Sequence, residues 1–484
     1  MEMLGSFNLA RLIFLRALAV LYFVAFLVAL KQFPALLGEH GLMPVPQFIQ
    51  QIPFRSAPSL FYFGYSDRLL QIVSLTGMLV SCGLMLGLLD RGPWWCTTGL
   101  WLILWVLYLS IVNVGQDFYS FGWESMLLEA GFFAAFLGPR LAPSIIPILI
   151  LRWMLFRVEL GAGLIKLRGD ACWRDFTCLY YHHETQPMPN PLSWHFHHLP
   201  KGVHRFGVGF SHFVQLIAPF GLFAPASIAA ISAGLIIFHQ LMLIMSGNYS
   251  WLNWLTVILA LTAFSDSLLG RFLFWKIPQP LPRPAFFNGI LYVLAVVTIF
   301  LSVQPALNLL SERQLMNFNF NPFHLVSCYG AFGAVTKQRY EIVMEGTDNS
   351  AVTPDTIWRE YEFKGKPGDV ARTPPQFAPY HLRLDWLMWF LPFSMRVVDH
   401  QISNEGYPLW FIRFSKKLLE GDAQTLGLLR SNPFPYPPKF LRAEVYLYHF
   451  TSAEERRKTG AIWTREQIGD YLSPTNLERF SNIQ

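Results

Sequence analysis

The sequence predicts a polytopic α-helical membrane protein with about nine spans, followed by a C-terminal α+β domain that lies outside the membrane and contains a small β-sheet. Hydrophobic residues make up 53% of the 484 residues and charged residues only 14%, whereas soluble domains carry about 25% charged residues. The mean hydropathy is +0.34. Long apolar runs recur up to residue 303, and short strand-like runs replace them after residue 310.

A helix needs about 20 mostly apolar residues to cross a bilayer, and nine runs approach that length. The first run exceeds the apolar core of a signal peptide and is followed by Lys31, so we interpret it as an uncleaved span. We therefore predict a transmembrane domain at 1–309, with an outer-face loop at 166–206, and a C-terminal domain at 310–484. The predicted spans lie near 12–30, 69–88, 94–112, 122–138, 143–165, 207–225, 227–247, 249–266 and 286–303.

The orientation of the spans is predicted from Lys and Arg near their ends, which are enriched on the cytoplasmic side. With the N-terminus in the cytoplasm, six such residues fall on that side. They are Arg11, Arg91, Arg140, Arg271, Lys276 and Arg283. The outer-face loop is also basic, which counts against this orientation, although Asp170, Asp175 and Glu184 offset part of its charge. We keep the orientation, which places the loop and the C-terminal domain in the lumen or periplasm.

The C-terminal domain shows three strand-like runs, Tyr340–Glu345, Trp358–Phe363 and Glu444–Phe450. Helical spacing within Val397–Arg430 places five apolar side chains on one face. They are Trp410, Phe411, Phe414, Leu418 and Leu419. Four prolines exclude regular structure from 432–439. The tryptophans could offer apolar contact to a partner, but core packing is favoured for most of them. They are Trp358, Trp386, Trp389, Trp410 and Trp463.

The outer-face loop concentrates cysteine, histidine and proline, and it is either a working surface or a rigid plug. Cys172 and Cys178 enclose five residues, which favours a disulfide on an oxidising face, with two buried thiols as the alternative. Zinc is disfavoured because no C-x2-C or H-x3-H spacing is present, and no cofactor or metal is predicted. The candidate functional residues of the loop are Trp173, Arg174, Asp175, His182, His183, Glu184, Asn190, His197 and His198.

Ionisable residues inside the predicted spans form a second candidate cluster, Glu129, Arg152, Arg157 and Glu159. A charge at the bilayer centre costs at least about 2.5–3.5 kcal/mol, so such groups usually face the bundle and find partners. We expect Glu129 to pair with Arg157 or Arg152, either as a structural ion pair or in a polar cavity. Lys166 ends the small-residue segment GAGLIK and either extends its amine to the membrane surface or acts as a desolvated base.

Several function classes are disfavoured. The net charge of +6 is dispersed, so nucleic acid is not expected as a partner. The sequence contains no G-x-S-x-G elbow, P-loop or H-E-x-x-H motif. Asn248 begins a glycosylation triplet, N-Y-S, but it lies in a turn close to the membrane and is expected to stay unmodified.

The outer-face loop and its flanks resemble the signature of the lipase maturation factor family. The closest likeness lies in GLIKLRGDACWRDFTCLYYHHETQPMPNPLSWHFHHLP at 163–200. Further similar segments lie at 114–132 (VGQDFYSFGWESMLLEAGF), 329–347 (YGAFGAVTKQRYEIVMEGT), 358–369 (WREYEFKGKPGD), 374–390 (PPQFAPYHLRLDWLMWF) and 418–435 (LLEGDAQTLGLLRSNPFP). The resemblance therefore extends over nearly the whole chain.

The resemblance implies a multi-pass membrane protein of the endoplasmic reticulum that helps lipoprotein lipase and related lipases to reach their active form. The C-terminal domain is then expected to contact the client. In a bacterial cell the same resemblance implies the inner membrane and an unknown client. A shorter likeness, GAGLIKL at 161–167, is similar to the region of vitamin K-dependent γ-carboxylase that holds its base lysine, which corresponds here to Lys166.

Three functions therefore stay open. The favoured one is a chaperone-like maturation factor without catalysis, in which the loop and the C-terminal domain hold a lipase. The second is a carboxylase-like membrane enzyme with Lys166 as its base. The third is a transporter or lipid-binding protein that uses the intramembrane charges.

Overall fold

The membrane part of the protein is a bundle of long and short helices. The computed structural model describes residues 6–88, 92–139, 141–272, 280–398, 401–404 and 406–481. Arg91, Arg140 and Lys276, on which the predicted orientation partly rests, lie outside these residues.

The helices up to residue 168 are α1 (Asn8–Leu37), α2 (Val45–Gln51), α3 (Asp67–Leu86), α4 (Trp94–Asn113), α5 (Gly122–Ala134) and α6 (Ile145–Arg168). They are followed by α7 (Ala171–Arg174), α8 (Leu179–Thr185), α9 (Ser193–His197), α10 (Lys201–Leu216), α11 (Ala218–Gly221), α12 (Ala226–Ser246), α13 (Leu252–Ala260), α14 (Asp266–Leu269) and α15 (Ala285–Leu310).

Among the described residues, five helices are long and apolar enough to cross a membrane: α1, α3, α4, α12 and α15. The predicted count of nine spans is therefore not confirmed. Helix α5 has 13 residues and extends about 20 Å, less than the hydrocarbon thickness of about 30 Å. Helix α6 has 24 residues, but its central charges lower its apolar character.

Helix α1 is the axis of the bundle. It packs along α3 and contacts α4, α5 and α13. The hydroxyl of Tyr22 on α1 donates a hydrogen bond to the carbonyl oxygen of Leu127 on α5 (3.0 Å). A Cβ atom at Gly131 would lie 1.8 Å from that hydroxyl, so only glycine allows α1 and α5 to approach this closely.

The C-terminal domain is built on a four-stranded antiparallel sheet in the order β2-β1-β5-β6, beside a separate β3-β4 hairpin. The strands are β1 (Arg339–Thr347), β2 (Arg359–Glu360), β3 (Met395–Val398), β4 (Gln401–Asn404), β5 (Phe440–Phe450) and β6 (Trp463–Thr475). Val343 of β1 pairs with Glu444 of β5. The helices are α16 (Arg383–Phe390), α17 (Leu409–Glu420), α18 (Ala423–Leu426), α19 (Ala453–Thr459) and α20 (Leu477–Ser481).

The predicted elements of this domain are largely present. β1 and β5 contain two of the predicted strand runs, and α17 buries all five apolar residues that the helical spacing selected. The run Trp358–Phe363 forms only the two-residue strand β2. Residues 432–439 contain no helix or strand, as expected.

The two parts of the chain share one continuous hydrophobic core. Gln32 of α1 joins them through its amide group. Its Nε2 donates to the carbonyl oxygen of His381 (2.6 Å), and its Oε1 accepts from the backbone N–H of Arg383 (3.0 Å). The C-terminal domain is therefore fixed against α1.

Candidate functional site

The outer-face loop is shorter than predicted and carries its own helices. Helix α6 continues to Arg168 and α10 begins at Lys201, so only 169–200 separates these two helices. Lys166 consequently lies on α6 and not in a loop. Residues 182–190 are all buried, and this segment lies beneath the C-terminal domain. The geometry is that of a plug rather than an open surface.

Cys172 and Cys178 lie at the start of the loop with their sulfur atoms within bonding distance and their Cα atoms 4.7 Å apart. Both side chains are buried beside Trp173 and Val208, which lies on α10. The indole N–H of Trp173 donates to the carbonyl oxygen of Phe332 (2.8 Å). A crosslink here closes a small turn that also packs against the segment before β1.

Arg339, the first residue of β1, holds the middle of the loop. Its guanidinium donates to the carbonyl oxygens of Glu184 (2.9 Å), Gln186 (2.5 Å) and Pro187 (3.2 Å). It also donates to the carboxylate of Glu341 (2.5 Å), which in turn pairs with Lys366 (2.8 Å). This buried cluster was not predicted, because the sequence gives no sign that a β1 side chain contacts the loop.

Glu184 makes a second link between the loop and the sheet. Its Oε1 accepts from the backbone N–H of Phe450 (2.8 Å) at the end of β5. The imidazole Nδ1 of His449 lies 3.0 Å from the same oxygen, and His197 lies 3.9 Å from Oε2. This predicted site residue therefore joins two domains.

Asn190 and Asn248 close the proline-rich end of the loop. Asn190 donates to the carbonyl oxygen of Met245 (3.0 Å) and to the Oε1 of Gln376 (3.0 Å). Asn248 is fully buried. Its Nδ2 donates to the carbonyl oxygens of Pro189 (3.1 Å) and Pro375 (2.9 Å), and its Oδ1 accepts two backbone N–H groups at 377–378. Asn248, the first residue of the N-Y-S triplet, thus lies in a buried junction between the loop and the C-terminal domain.

The other predicted loop residues lie nearer the surface. Arg174 donates to the carbonyl oxygens of Leu167 (2.7 Å) and Gly169 (2.9 Å) and caps the end of α6. Asp175 is exposed. His198 is exposed and stacks on the ring of Trp194, with the ring centroids 4.2 Å apart.

The histidines of the loop lie close together without forming a metal site. Within the described ranges, no group of three or more His, Cys, Asp or Glu residues could hold a metal ion. Burial lowers the pKa of His182 to about 3, helped by the charge of Lys166. Burial also lowers the pKa of His183 and brings that of His197 to about 4. These side chains are therefore neutral in the folded protein at neutral pH.

The intramembrane charges do not all come together. Arg157 on α6 pairs with Glu129 on α5. Glu129 also accepts from the Tyr329 hydroxyl (2.7 Å) and the Ser327 backbone N–H (3.1 Å), both in the segment that follows α15. Arg152 instead donates to the carbonyl oxygens of Leu222 (3.1 Å) and Thr262 (3.0 Å). Glu159 accepts from Gln240 (2.8 Å).

Lys166 is buried at the outer end of α6. Its Nζ donates to the Oε1 of Gln215 (2.8 Å) and the Oγ of Ser211 (3.3 Å), both on α10, and lies 4.7 Å from the Trp173 ring. These acceptors are neutral, and Lys166 forms no ion pair with a described carboxylate. Gly163 permits the contact with α10, because a Cβ atom there would lie 2.7 Å from Leu216.

A further buried cluster joins α5 to α16 and was not predicted. Arg383 Nη1 lies 2.9 Å from Glu124 Oε1, and the Tyr108 hydroxyl donates to the other carboxylate oxygen. The guanidinium of Arg383 lies over the Tyr119 ring, 3.3 Å from its centroid. In the sequence, Glu124 and Arg383 each lie among mostly apolar residues. A charge in such surroundings is the signal from which a buried pair could have been predicted.

Three of the five tryptophans of the C-terminal domain are buried, as favoured from the sequence: Trp386, Trp410 and Trp463. Trp386 and Trp410 also contact rings at 118–123 of the helix bundle. Trp389 is half-buried and forms an aromatic patch with Phe390 and Phe393, whose side chains are 41% and 51% exposed. The indole N–H of Trp389 donates to the carbonyl oxygen of Thr185 in the loop (3.2 Å). The plug thus supports an exposed aromatic surface, here called the aromatic patch.

Comparison with known proteins gives matches to both parts of the chain. Residues 9–271 match the family model described as lipase maturation factor transmembrane domain, and residues 325–473 match lipase maturation factor C-terminal domain. The chain is 43% identical to lipase maturation factor 1 of Homo sapiens, over 98% of this chain and 89% of the relative. It is 41% identical to lipase maturation factor 1 of Mus musculus (98% and 88%) and 26% identical to lipase maturation factor 2 of Xenopus tropicalis (97% and 83%). No solved structure matches the chain.

Proposed function

The chain belongs to the lipase maturation factor family, and on that premise we propose that it is a membrane-bound factor that helps secreted lipases to fold and assemble into their active form. The client is a lipase similar to lipoprotein lipase in a eukaryotic cell. The protein then lies in the endoplasmic reticulum membrane, with its N-terminus in the cytoplasm. In a bacterium the corresponding place is the inner membrane.

The aromatic patch is the observation that carries this proposal. Phe390 and Phe393 expose 41% and 51% of their side chains, and exposed apolar patches on folded domains mark interaction sites. A partly folded lipase exposes apolar surface that such rings can cover without a fixed shape. We assign the C-terminal domain, 310–484, as the client platform and the transmembrane domain, 1–309, as its support.

The outer-face loop packs against the client platform and supports it. Its candidate residues are mostly buried and hydrogen-bonded to the sheet or to the bundle, with Glu184 and the carbonyl oxygens bound by Arg339 as the main links. We propose that the Cys172–Cys178 disulfide and the prolines keep this plug rigid. Rigid support lowers the entropy cost when the platform binds a client.

A rescue assay tests the proposal. The chain is expressed in cells that lack their own maturation factor, and secreted lipase activity is measured per lipase molecule. A Phe390→Ser/Phe393→Ser variant is expected to lose about tenfold or more of the rescue, since apolar anchors dominate interface energies. The matched control is Ile357→Ser/Tyr436→Ser, which changes two other exposed apolar side chains of the domain (74% and 79% exposed). Equal rescue by both variants, each folded and abundant, contradicts the platform.

A carboxylase-like enzyme is the second candidate, favoured by the buried amine of Lys166 and its two neutral acceptors. A base needs an amine that can lose its proton, and a buried amine without a carboxylate partner meets that need. Lys166→Met distinguishes the two candidates when it is compared with Lys416→Met, since Lys416 is a half-buried lysine of α17. Loss of rescue with unchanged thermal stability and client capture supports catalysis. Full rescue assigns Lys166 to packing against α10.

The intramembrane charges support a transport or lipid-binding function less well. Glu129 and Arg157 neutralise each other, and Arg152 is bound to carbonyl oxygens. A transport function predicts that uptake of a solute requires Glu129. Measuring both rescue and solute uptake with the variant Glu129→Gln/Arg157→Met tests this prediction.

A further inference from the structure

A cavity of about 380 Å³ lies between α1 and the C-terminal domain. Its volume is within the range of about 300–1,000 Å³ that is typical of small-molecule sites. Its lining includes Leu27, Lys31, Leu382, Leu384, Lys364 and Asp385.

Hydrogen bonds hold lining residues of the cavity. Gln32, which also lines it, binds the backbone at His381 and Arg383 through both ends of its amide. Lys364 donates to the carbonyl oxygen of Gly427 (2.7 Å), which also lines the cavity. Both parts of the chain thus contribute hydrogen-bonded residues to the lining.

The cavity is apolar at one end and cationic at the other. Leu27 lies within the apolar run of α1, and Lys31 follows one helical turn later on the same face. Leu382 and Leu384 are buried in the opposite wall. The cavity lies where the membrane-spanning helix α1 leaves its apolar run. Its change from apolar to cationic lining matches the boundary between acyl chains and headgroups in a bilayer.

The charges at the polar end favour an anion. Lys31 and Lys364 are exposed, and neither forms an ion pair with a carboxylate among the described residues. Asp385 is the acidic residue of the lining, and its Oδ1 is occupied by the backbone N–H groups of Gly365 (2.6 Å) and Lys366 (3.1 Å). The ammonium group of Lys31 and the N–H donors of Lys364 that do not bind Gly427 are thus available to a phosphate, against one carboxylate that is largely engaged.

We propose that this cavity binds an anionic membrane phospholipid. Its phosphate lies between Lys31 and Lys364, and one acyl chain follows Leu27 into the membrane. The bound lipid fills the seam and ties the C-terminal domain to the bilayer surface. This site goes beyond the handling of a client and does not depend on it.

Native mass spectrometry of the delipidated full chain in detergent tests the proposal. Dioleoyl phosphatidylserine, dioleoyl phosphatidylcholine and glycerol 3-phosphate are added separately. Dioleoyl phosphatidylserine is expected to stay bound. The variant Lys31→Gln/Lys364→Gln is expected to lower its occupancy about tenfold, which corresponds to the loss of one charge-assisted contact. The matched control, Lys416→Gln/Lys458→Gln, removes two lysines outside the cavity and should retain the lipid.

A second variant, Leu27→Trp, fills the apolar end without changing the charge and should also displace the lipid. It keeps the proposal testable if the double lysine variant fails to fold, as judged by thermal unfolding. Equal binding of the two lipids overturns the proposed preference for an anion. Unchanged lipid retention in both cavity variants, or glycerol 3-phosphate that competes as well as the lipid, overturns the lipid site itself.

Discussion

Arg383 and Glu124 form a fully buried ion pair, with Nη1 and Oε1 2.9 Å apart and no solvent-exposed area on either side chain. They are 259 residues apart in the sequence and belong to α16 and α5. The pair therefore connects the C-terminal domain to the first turn of α5 in the helix bundle. Tyr108 and His381 surround the same carboxylate, so the charge is enclosed by polar contacts on several sides.

Replacing Arg383 with Met should destabilise the protein strongly. The change leaves the Glu124 carboxylate buried without its partner, which costs about 3–5 kcal/mol in comparable buried pairs. Thermal unfolding in detergent measures the loss. The control is Lys458→Met, which breaks an exposed pair with Glu454 and should leave the unfolding temperature unchanged. Adding Glu124→Gln to Arg383→Met should restore part of the stability, and failure to do so contradicts the role of the uncompensated charge.

Arg339→Lys should loosen the outer-face loop although it keeps the positive charge. A lysine presents one ammonium group and cannot bind three carbonyl oxygens and a carboxylate in the same plane. We expect a loss of about 3 kcal/mol or more and faster hydrogen exchange at residues 182–190. Arg442→Lys is the matched control, since Arg442 pairs with Glu345 at the partly exposed face of the sheet. Unchanged exchange in the loop of Arg339→Lys contradicts the clamp.

Stability should fall as the pH is lowered from about 6.5 to about 4. The unfolded chain protonates its histidines near their usual pKa of 6.5, whereas burial holds the pKa of His197 at about 4 and that of His182 at about 3 in the folded protein. The unfolded state therefore binds more protons in this window, and stability is lost as the pH falls. Unfolding temperatures measured from pH 7.5 to 4.5 show the slope. His183→Phe should reduce it, because burial also lowers the pKa of His183, whereas the exposed His195→Gln should not.

Removing the loop disulfide should lower stability and maturation activity together. A crosslink between residues six positions apart contributes about 2 kcal/mol in the loop-entropy model. Cys172→Ser is measured by thermal unfolding and in the rescue assay, with Cys82→Ser as the control, since Cys82 is a free cysteine of α3. Near-normal activity and stability in Cys172→Ser would argue against the crosslink. Mass analysis under non-reducing conditions reports the bond directly.

The sequence predicted elements whose pattern depends on a single buried face. The apolar stripe of α17 can be recognised in the sequence from its helical spacing, and the central strands β1 and β5 are rich in strand-forming residues. Strand β6 was missed, because it lies at the edge of the sheet and is largely polar, with buried, half-buried and exposed side chains mixed along it. Polar edge strands resemble loops when only hydrophobicity is considered.

The outer-face loop shows a second limit of prediction from the sequence. The sequence left open whether this loop is a working surface or a rigid plug, and residues 182–190 are buried. Buried polar groups need hydrogen-bond partners, and here the partners come from distant residues such as Arg339 and Gln376. A single sequence contains no record of such pairings. The sequence did predict that Glu129 pairs with Arg157 or Arg152, because the low polarity of the membrane leaves few partners for a charge, and the partner is Arg157.

The burial of Asn248 has a consequence for the order of events during synthesis. Its partner Pro375 lies 127 residues later in the chain and, at about 5–20 residues per second, is made roughly 6–25 s afterwards. The acceptor triplet is therefore uncovered for this interval. A glycan attached during it would occupy the space that the chain at 375–378 must fill. The native fold therefore requires that Asn248 stays unmodified until the chain at 375–378 covers it.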